Sequence, residues 1–549
     1  MKFKQAKQSI EVLKALSING EEFVVSPMES IVSDLKSLKK RRAAAQVVPQ
    51  VMVSRAPAPA TYSLAAWQTP IRNQGSRGTC WAFAGIAALE AAYRRKYGTV
   101  LDLSEHYLFH MSKCVELYTD YMTNAVPHEN NSSYWGGQGN SGIIEVMSRI
   151  AVPEERFAPY LEQHQLDAIR TSLPGAGALD WNATQEQLDT FEYDQRNIPL
   201  EARHQAKYKV KSWGVIGNLT TDKMEQVIAA NSEIVLDVDA YKWRYNAAID
   251  ALEYDPNGGG GGGHTVLVVG YDRNQQVFLI KNSWNDGRLL RLTYDYVRRE
   301  SARWYTGHYI TDVENINMAP QMKAKWIGRW NMDHDGWRGQ LVIRRFTNFH
   351  TGENMQTKIG NYYRDGKRYE ANGYFVDGGQ GVVFFVADRE GKITPGTLYS
   401  GQRHELYNYS WFPVMGAGKT HWNNIPFGSL VNRGAIPHRP SNSFSRSEWI
   451  GSWAMNHDGW QGTLTISAIT PFLWGMLLVS GTYRTHDGRL LTISGSVNAA
   501  QNHVMSINIP FSADNNQSFE LHYHTWENGI FSGTTTWGGR KFGVFGNKG

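Results

Sequence analysis

Apolar and polar positions change their rhythm three times along the chain. Ile31, Leu35 and Leu38 fall at helical spacing and predict a helix, with Lys39, Lys40, Arg41 and Arg42 at its C-terminal end, where cations complement the dipole. Ala43 to Ala60 is rich in Ala and Pro, including Pro49, Pro57 and Pro59, and predicts an extended linker. Residues 1–62 therefore read as a leader separate from the rest of the chain. From 63 to 315 helical and strand patterns alternate. Ala82 to Tyr93 predicts a helix of small apolar residues suited to burial, and Ile234–Val238, His264–Val269 and Val277–Lys281 predict strands, with a hairpin turn at Tyr271–Gln275.

The last third repeats itself. Trp326 to Ile343 matches Trp449 to Ile466 at a constant offset of 123, and Trp411, Gly418, Thr420, Trp422 and Phe427 match Trp526, Gly533, Thr535, Trp537 and Phe542 at an offset of 115. Each copy is a module of its own, at 326–433 and 449–549. Both read as short alternating strands broken by Asp335-Gly336 and Asp458-Gly459, which favour primed hairpin turns. Two small all-β antiparallel barrels or sandwiches are predicted. The opening Trp-x-Gly-x-Trp, with Gly-x-Leu-x-Ile after it, resembles the first hairpin of avidin-like and lipocalin-like barrels over these few residues. His334-Asp335 and His457-Asp458 read as turn chemistry, not as catalytic pairs. The repeated Trp side chains are expected in the barrel cores.

Composition narrows the field. A chain of 549 residues has room for roughly three to four domains. Its net charge of +5 comes without a basic stripe or a nucleic-acid motif, so no nucleic-acid partner is expected. Two cysteines, Cys80 and Cys114, cannot make a disulfide-rich secreted scaffold. No apolar run follows the basic start and no stretch of about 20 apolar residues occurs. The expectation is a cytoplasmic protein, or one exported without a cleavable signal, with no membrane span.

The chemistry gathers around Cys80. In Thr69–Phe83 a Gln stands six residues before the Cys, a Gly-rich turn leads into it, and Cys-Trp-Ala-Phe opens a helix. A helix N-terminus offers unpaired N–H groups and a positive partial charge, which favour a thiolate at Cys80. Gly263–Tyr271 and Leu279–Trp284 then supply a His on a strand and an Asn with Ser-Trp after it. These three segments, in this order, resemble the papain family of cysteine peptidases. The resemblance implies an α+β, papain-like two-lobed domain over 63–315, with a helical lobe and a β-barrel lobe. It implies Cys80 as nucleophile, His264 as general base, Asn282 as the group that orients the imidazole, Gln74 as an oxyanion donor and Trp284 as a shield. Tyr134-Trp-Gly-Gly137 resembles the family's Gly-Gly stretch, so Gly136 and Gly137 are expected to pair with substrate backbone. The resemblance further implies cysteine endopeptidase activity on protein or peptide substrates and no cofactor or metal. It implies that the leader is a zymogen segment.

The chain also departs from the family. Arg77 stands where the family carries a bridging Cys, as in bacterial members, so Cys114 is expected to be a free structural thiol. His264 lies 184 residues after Cys80, which predicts insertions around 115–133 and 163–205. Asn285 stands where a Gly is common. The run Gly258–Gly263 reads as a flexible surface loop, or as a flap over the cleft. The two modules are expected to bind carbohydrate or protein and to hold the peptidase near a target. Two other activities fit the same residues. One is a papain-fold acyl transferase or peptide ligase, and the other is a non-catalytic binding protein.

Overall fold

Small side chains let a helix lie deep in a protein, and Cys80–Tyr97 does so, buried from Cys80 to Tyr93. Arg94, Arg95 and Lys96 occupy its last turn, and Gly98, at φ 69°, ends it by donating to the Arg94 carbonyl. The computed structural model describes residues 58–117, 132–137, 140–174, 179, 183–301, 306–317, 322–344, 357–387, 401–411, 413–441, 443–473, 476–512 and 515–548, with three strand segments at 15–18, 21–24 and 26–27. The helix expected around Ile31–Leu38 lies outside these residues. The chain divides into two compact units, Met1–Pro320 and Gln321–Gly549.

In the first unit the Cys80 helix separates two sides. Helices Glu105–Met111, Ile143–Met147, Gln163–Ser172, Gln185–Glu192 and Leu200–Gln205 make the helical side. The last three fill the insertion expected at 163–205, whereas most of 115–133 lies outside the described residues. Their starts obey capping rules: Ser104 accepts from the Tyr107 N–H, and Thr184 with Gln187 forms a capping box. Leu166, Ile169, Leu188 and Phe191 form their shared core.

The other side is a ten-stranded sheet. Its centre is the strand Gly262–Asp272, paired antiparallel with Ile234–Asp239 on one edge and Val277–Lys281 on the other. All residues of Ile234–Asp239 are buried, so both faces of this strand are covered. The strand pattern of the sequence is therefore recovered, with the histidine strand longer at both ends. The last two glycines of the Gly-rich run belong to it. This run is no free loop at its C-terminal end: the Asp239 carboxylate accepts from the N–H of Gly261 and Gly262 at 3.1 and 3.0 Å. A Cβ on Gly262 would stand 2.5 Å from the Tyr241 ring, so close packing explains the glycine.

The second unit consists of two closed antiparallel barrels of eight strands each. In the first, Gly328–His334 pairs with the next strand, Trp337–Ile343, and with the last, Ile425–Asn432. In the second, Gly451–His457 pairs likewise with Trp460–Pro471 and Arg540–Asn547. Consecutive strands pair all the way round, which settles barrel over sandwich. Asp335 and Gly336 have φ of 56° and 86°, and Asp458 and Gly459 have 53° and 92°, as a primed turn requires. The repeated tryptophans divide into two sets. Trp326, Trp330, Trp449 and Trp453 are buried core residues, as expected. Trp337, Trp411, Trp422, Trp460, Trp526 and Trp537 are exposed, because they flank the turns at the barrel ends and not the inward-facing strand positions.

Candidate active site

Cys80 is the first residue of its helix and lies 2% exposed at the contact with the sheet. Backbone and side chain of Thr265 both hydrogen-bond toward its thiol. Thr265 directly follows His264 in the central strand, so Cys80 and the histidine segment meet here. The imidazole of His264 is fully buried, with Nε2 2.7 Å from Oδ1 of Asn282. An amide oxygen only accepts, so Nε2 carries the proton and Nδ1 keeps its lone pair. Nδ1 has no hydrogen-bond partner. Trp284 stacks on the imidazole, with ring centroids 4.2 Å apart and planes at 23°.

Gln74 is fully buried and ties the two lobes together. Its Nε2 donates to the Arg77 carbonyl at 2.6 Å, and its Oε1 accepts from the Ser283 hydroxyl at 2.6 Å. One amide hydrogen is thereby committed, and the second is available for the oxyanion role the sequence suggested. Gly136 and Gly137 lie against the turn before Cys80. The N–H of Gly137 donates to the Gly78 carbonyl at 2.6 Å, and its own carbonyl accepts from Nε1 of Trp81 at 3.3 Å. Gly137 thus closes the turn before Cys80 in this state, and its peptide groups are engaged and not free for the backbone pairing expected of it.

Residues 61–288 match the family model described as papain family cysteine protease. This segment is a papain-family domain. In sequence it is 25% identical over 226 residues to the gamete and mating-type specific protein A of Dictyostelium discoideum, covering 41% of this chain and 39% of that protein. It is 26% identical over 235 residues to cathepsin K of Mus musculus, covering 42% of this chain and 57% of that protein. The chain therefore spans only about half the length of these relatives. Among solved structures it is similar to xylellain, a cysteine protease from Xylella fastidiosa, at 21% identity and a TM-score of 0.33, covering 50% of this chain and 93% of that one.

Charge in the papain-family domain is set mainly by burial. The Cys80 thiol is pushed up to about 12 by desolvation, against opposing hydrogen bonds from Thr265 and the Trp81 N–H. His264 is held down to about 4 by burial, although the Asn282 bond favours the imidazolium. The sequence reading expected the helix N-terminus to stabilise a thiolate. In this enclosed state burial outweighs that effect, and thiol and imidazole are both neutral.

Three further groups around the papain-family site were not singled out for their roles by sequence. Trp243 packs edge-on against both His264 and Trp284, at 5.8 Å in each case. Asp237 lies on the strand beside His264, with its carboxylate accepting from the Ser141 N–H at 2.8 Å and hydroxyl at 2.7 Å, and from the Thr265 hydroxyl at 2.9 Å. Burial raises it to about 7. No sequence feature marks it, and only its pairing register with Thr265 reveals its place. Arg77 is buried where the family has a bridging Cys. It donates to the carbonyls of Leu161 at 2.6 Å and Ser133 at 2.8 Å, between the rings of Phe109 and Tyr160. These bonds fasten the turn before Cys80 to the segments of Ser133 and Leu161, and Nη1 of Arg77 also lies 3.2 Å from Nδ1 of His106 on the helix Glu105–Met111.

Cys114 is a buried free thiol, close to His110 and Glu192. These three have metal-ligating atoms within 4.8 Å of one another. Glu192 already accepts from Ser132, Ser133 and Nδ1 of His110, while Nε2 of His110 faces Arg203 at 3.1 Å. A saturated carboxylate beside a guanidinium suits a buried polar network better than a cation.

Proposed function

We propose that this chain is a cysteine endopeptidase whose leader occupies its cleft until removed. The observation that carries the reading is the His264–Asn282 hydrogen bond, which leaves Nδ1 as an unpartnered base on the strand residue adjoining the one that bonds Cys80. In the reaction Cys80 Sγ bonds to the substrate carbonyl carbon as its proton passes to Nδ1 of His264. The Cys80 N–H and the remaining amide hydrogen of Gln74 receive the oxyanion. Collapse breaks the C–N bond, and the leaving amine takes the proton from Nδ1. Water then attacks the thioester, its proton goes to Nδ1, and the acid departs as the proton returns to sulfur.

The leader reading is supported by Ser26–Pro27, which pairs antiparallel with Gly262–Gly263 immediately before His264. Such a strand excludes water from the site, consistent with the neutral thiol and imidazole. Its departure restores solvent and lowers the cost of a thiolate–imidazolium pair. The two barrels act, in this reading, as modules that bind carbohydrate or protein and keep the peptidase at its target.

The test is alkylation of Cys80 against Cys114 by iodoacetamide, mapped by peptide mass between about pH 5 and 8, in the full chain and in a chain starting at residue 58. Fast reaction of Cys80 at pH 5 in the short chain alone supports peptidase and leader together. Equal fast reaction in both removes the leader. Ordinary thiol behaviour in both removes the enzyme. Peptide products with new termini, and not joined ends, separate a peptidase from an acyl transferase.

A further inference from the structure

The first barrel holds a cavity of about 720 Å³, within the range of small-molecule sites. Eight strands enclose enough room for one such ligand. Around it stand Trp337, Trp422 and Trp526, exposed by 52%, 58% and 55%, and deeper in lie Tyr362, Gln402 and His334. Nε2 of His334 is 3.1 Å from the Tyr362 hydroxyl, and Nε2 of Gln402 bonds both Nδ1 of His334 at 3.2 Å and the Thr420 hydroxyl at 3.0 Å. The deep end is thus polar, ordered and uncharged, since burial keeps His334 neutral.

A cation lies at the side. The Arg364 guanidinium sits over the Trp337 ring at 4.5 Å. Its Nε stands 3.4 Å from the Asp365 carboxylate without making a hydrogen bond. Among the described residues the acid lining the cavity is Asp335, which is already engaged, because it accepts from the N–H of Thr525 and from its hydroxyl, the latter at 2.8 Å. That contact is also what delivers Trp526, which comes from the second barrel. Gly336, at φ 86°, permits the approach: a Cβ there would lie 2.5 Å from Cβ of Trp526. The site is incomplete without the second module.

The repeat provides an internal comparison. At the second barrel Trp460 and Trp537 stand at matching positions, Trp411 of the first barrel is the repeat counterpart of Trp526, and the N–H of Ser410 donates to Asp458 as that of Thr525 does to Asp335. Strand register, however, places Thr485 opposite Gly462 where Arg364 follows Tyr363 in the first barrel. Phe511 also packs against His457 and Tyr483 there, at 5.7 Å from each. At the strand position of Arg364 the second barrel thus carries Thr485 and no cation.

We propose that the first barrel binds a small ring-bearing anion, with the ring between the indoles, the acidic group on Arg364, and Trp526 of the second barrel closing the site. This rests on reading the barrels as binding modules. Indole faces take flat rings, and a partly desolvated guanidinium takes carboxylate or sulfonate.

The test uses 1-anilinonaphthalene-8-sulfonate as the probe, with N-phenyl-1-naphthylamine as its uncharged counterpart, by fluorescence titration of the full chain. Saturable binding at one site per chain is expected. Arg364→Gln weakens the sulfonate about tenfold, the size of one charge-assisted hydrogen bond, and leaves the neutral amine within about twofold. Trp526→Ala weakens both compounds, while Trp460→Ala at the matching rim of the second barrel changes neither. Circular dichroism establishes that each variant is folded, and Arg364→Gln carries the test if Trp526→Ala is not. Binding that ignores Arg364, or that falls equally with Trp460 and Trp526, overturns the acidic-ring site and leaves the barrels as binding modules. No saturable binding of either compound overturns the ring site.

Discussion

Asn282 holds His264 by one hydrogen bond of 2.7 Å, and that bond fixes which nitrogen can act as the base. Replacing Asn282 with Ala frees the ring to turn and to exchange tautomers. A single buried hydrogen bond of this kind is worth about 1 kcal/mol net, so kcat is expected to fall about fivefold with KM little changed. Because the Asn282 bond raises the His264 pKa, its loss moves the acid limb of kcat/KM to lower pH. A change confined to KM would contradict the orienting role.

Trp284 makes the opposite prediction for the same limb. Its ring covers the imidazole at 4.2 Å, and burial is the main cause that holds His264 down to about 4. Trp284→Ala admits water, so the His264 pKa rises toward its ordinary value near 6.5 and the acid limb moves up. Titration of the His264 ring by NMR in the two variants would show opposite displacements. Displacement in the same direction would mean that Trp284 is packing only.

The candidate site residues were legible in the sequence because each sits in a short segment with characteristic neighbours: the glycines before Cys80, the strand after His264 and the Ser-Trp after Asn282. The barrel repeats were legible for the same reason, since Asp-Gly turns recur at fixed offsets. What escaped depends on contacts between distant segments. Trp243 reaches His264 only because two strands fold back on the sheet. Asp237 is one acid among many until its strand is placed beside Thr265. The resting charge state was misjudged because a helix N-terminus can be read locally, whereas the burial that overrides it requires both lobes. The exposed tryptophans escaped because composition does not distinguish a strand position facing inward from one at a rim.

Arg77 offers a stability test. Its guanidinium satisfies the carbonyls of Ser133 and Leu161 and lies 3.2 Å from Nδ1 of His106, wholly out of water. Arg77→Met keeps most of the volume but leaves the buried Ser133 carbonyl and the half-buried Leu161 carbonyl unpaired. An unpaired buried carbonyl costs about 1–3 kcal/mol and a half-buried one less, so unfolding of the first unit is expected to ease by about 2–4 kcal/mol in urea. A loss below about 0.5 kcal/mol would show that the arginine fills space without fastening anything.

Asp237 ties stability to pH. Its carboxyl is pushed up to about 7 by burial, against three hydrogen bonds that favour the charged form. Between its ordinary value near 4 and about 7 the folded chain keeps a proton that the unfolded chain has released, so this group's contribution is full below that window and is lost as pH rises through it. Asn imitates the protonated form and retains an oxygen for Ser141 and Thr265. Asp237→Asn should therefore match the parent near pH 4 and exceed it by on the order of 2–4 kcal/mol at pH 8. The same substitution removes a charge that raises the Cys80 thiol, so alkylation of Cys80 should begin at lower pH in the variant. Denaturant melts at pH 4 and 8, run beside iodoacetamide rates, read the two effects separately. A stability gap that does not grow with pH would place the Asp237 proton elsewhere. A growing gap with an unchanged Cys80 profile would keep the buried carboxyl and sever its link to the thiol.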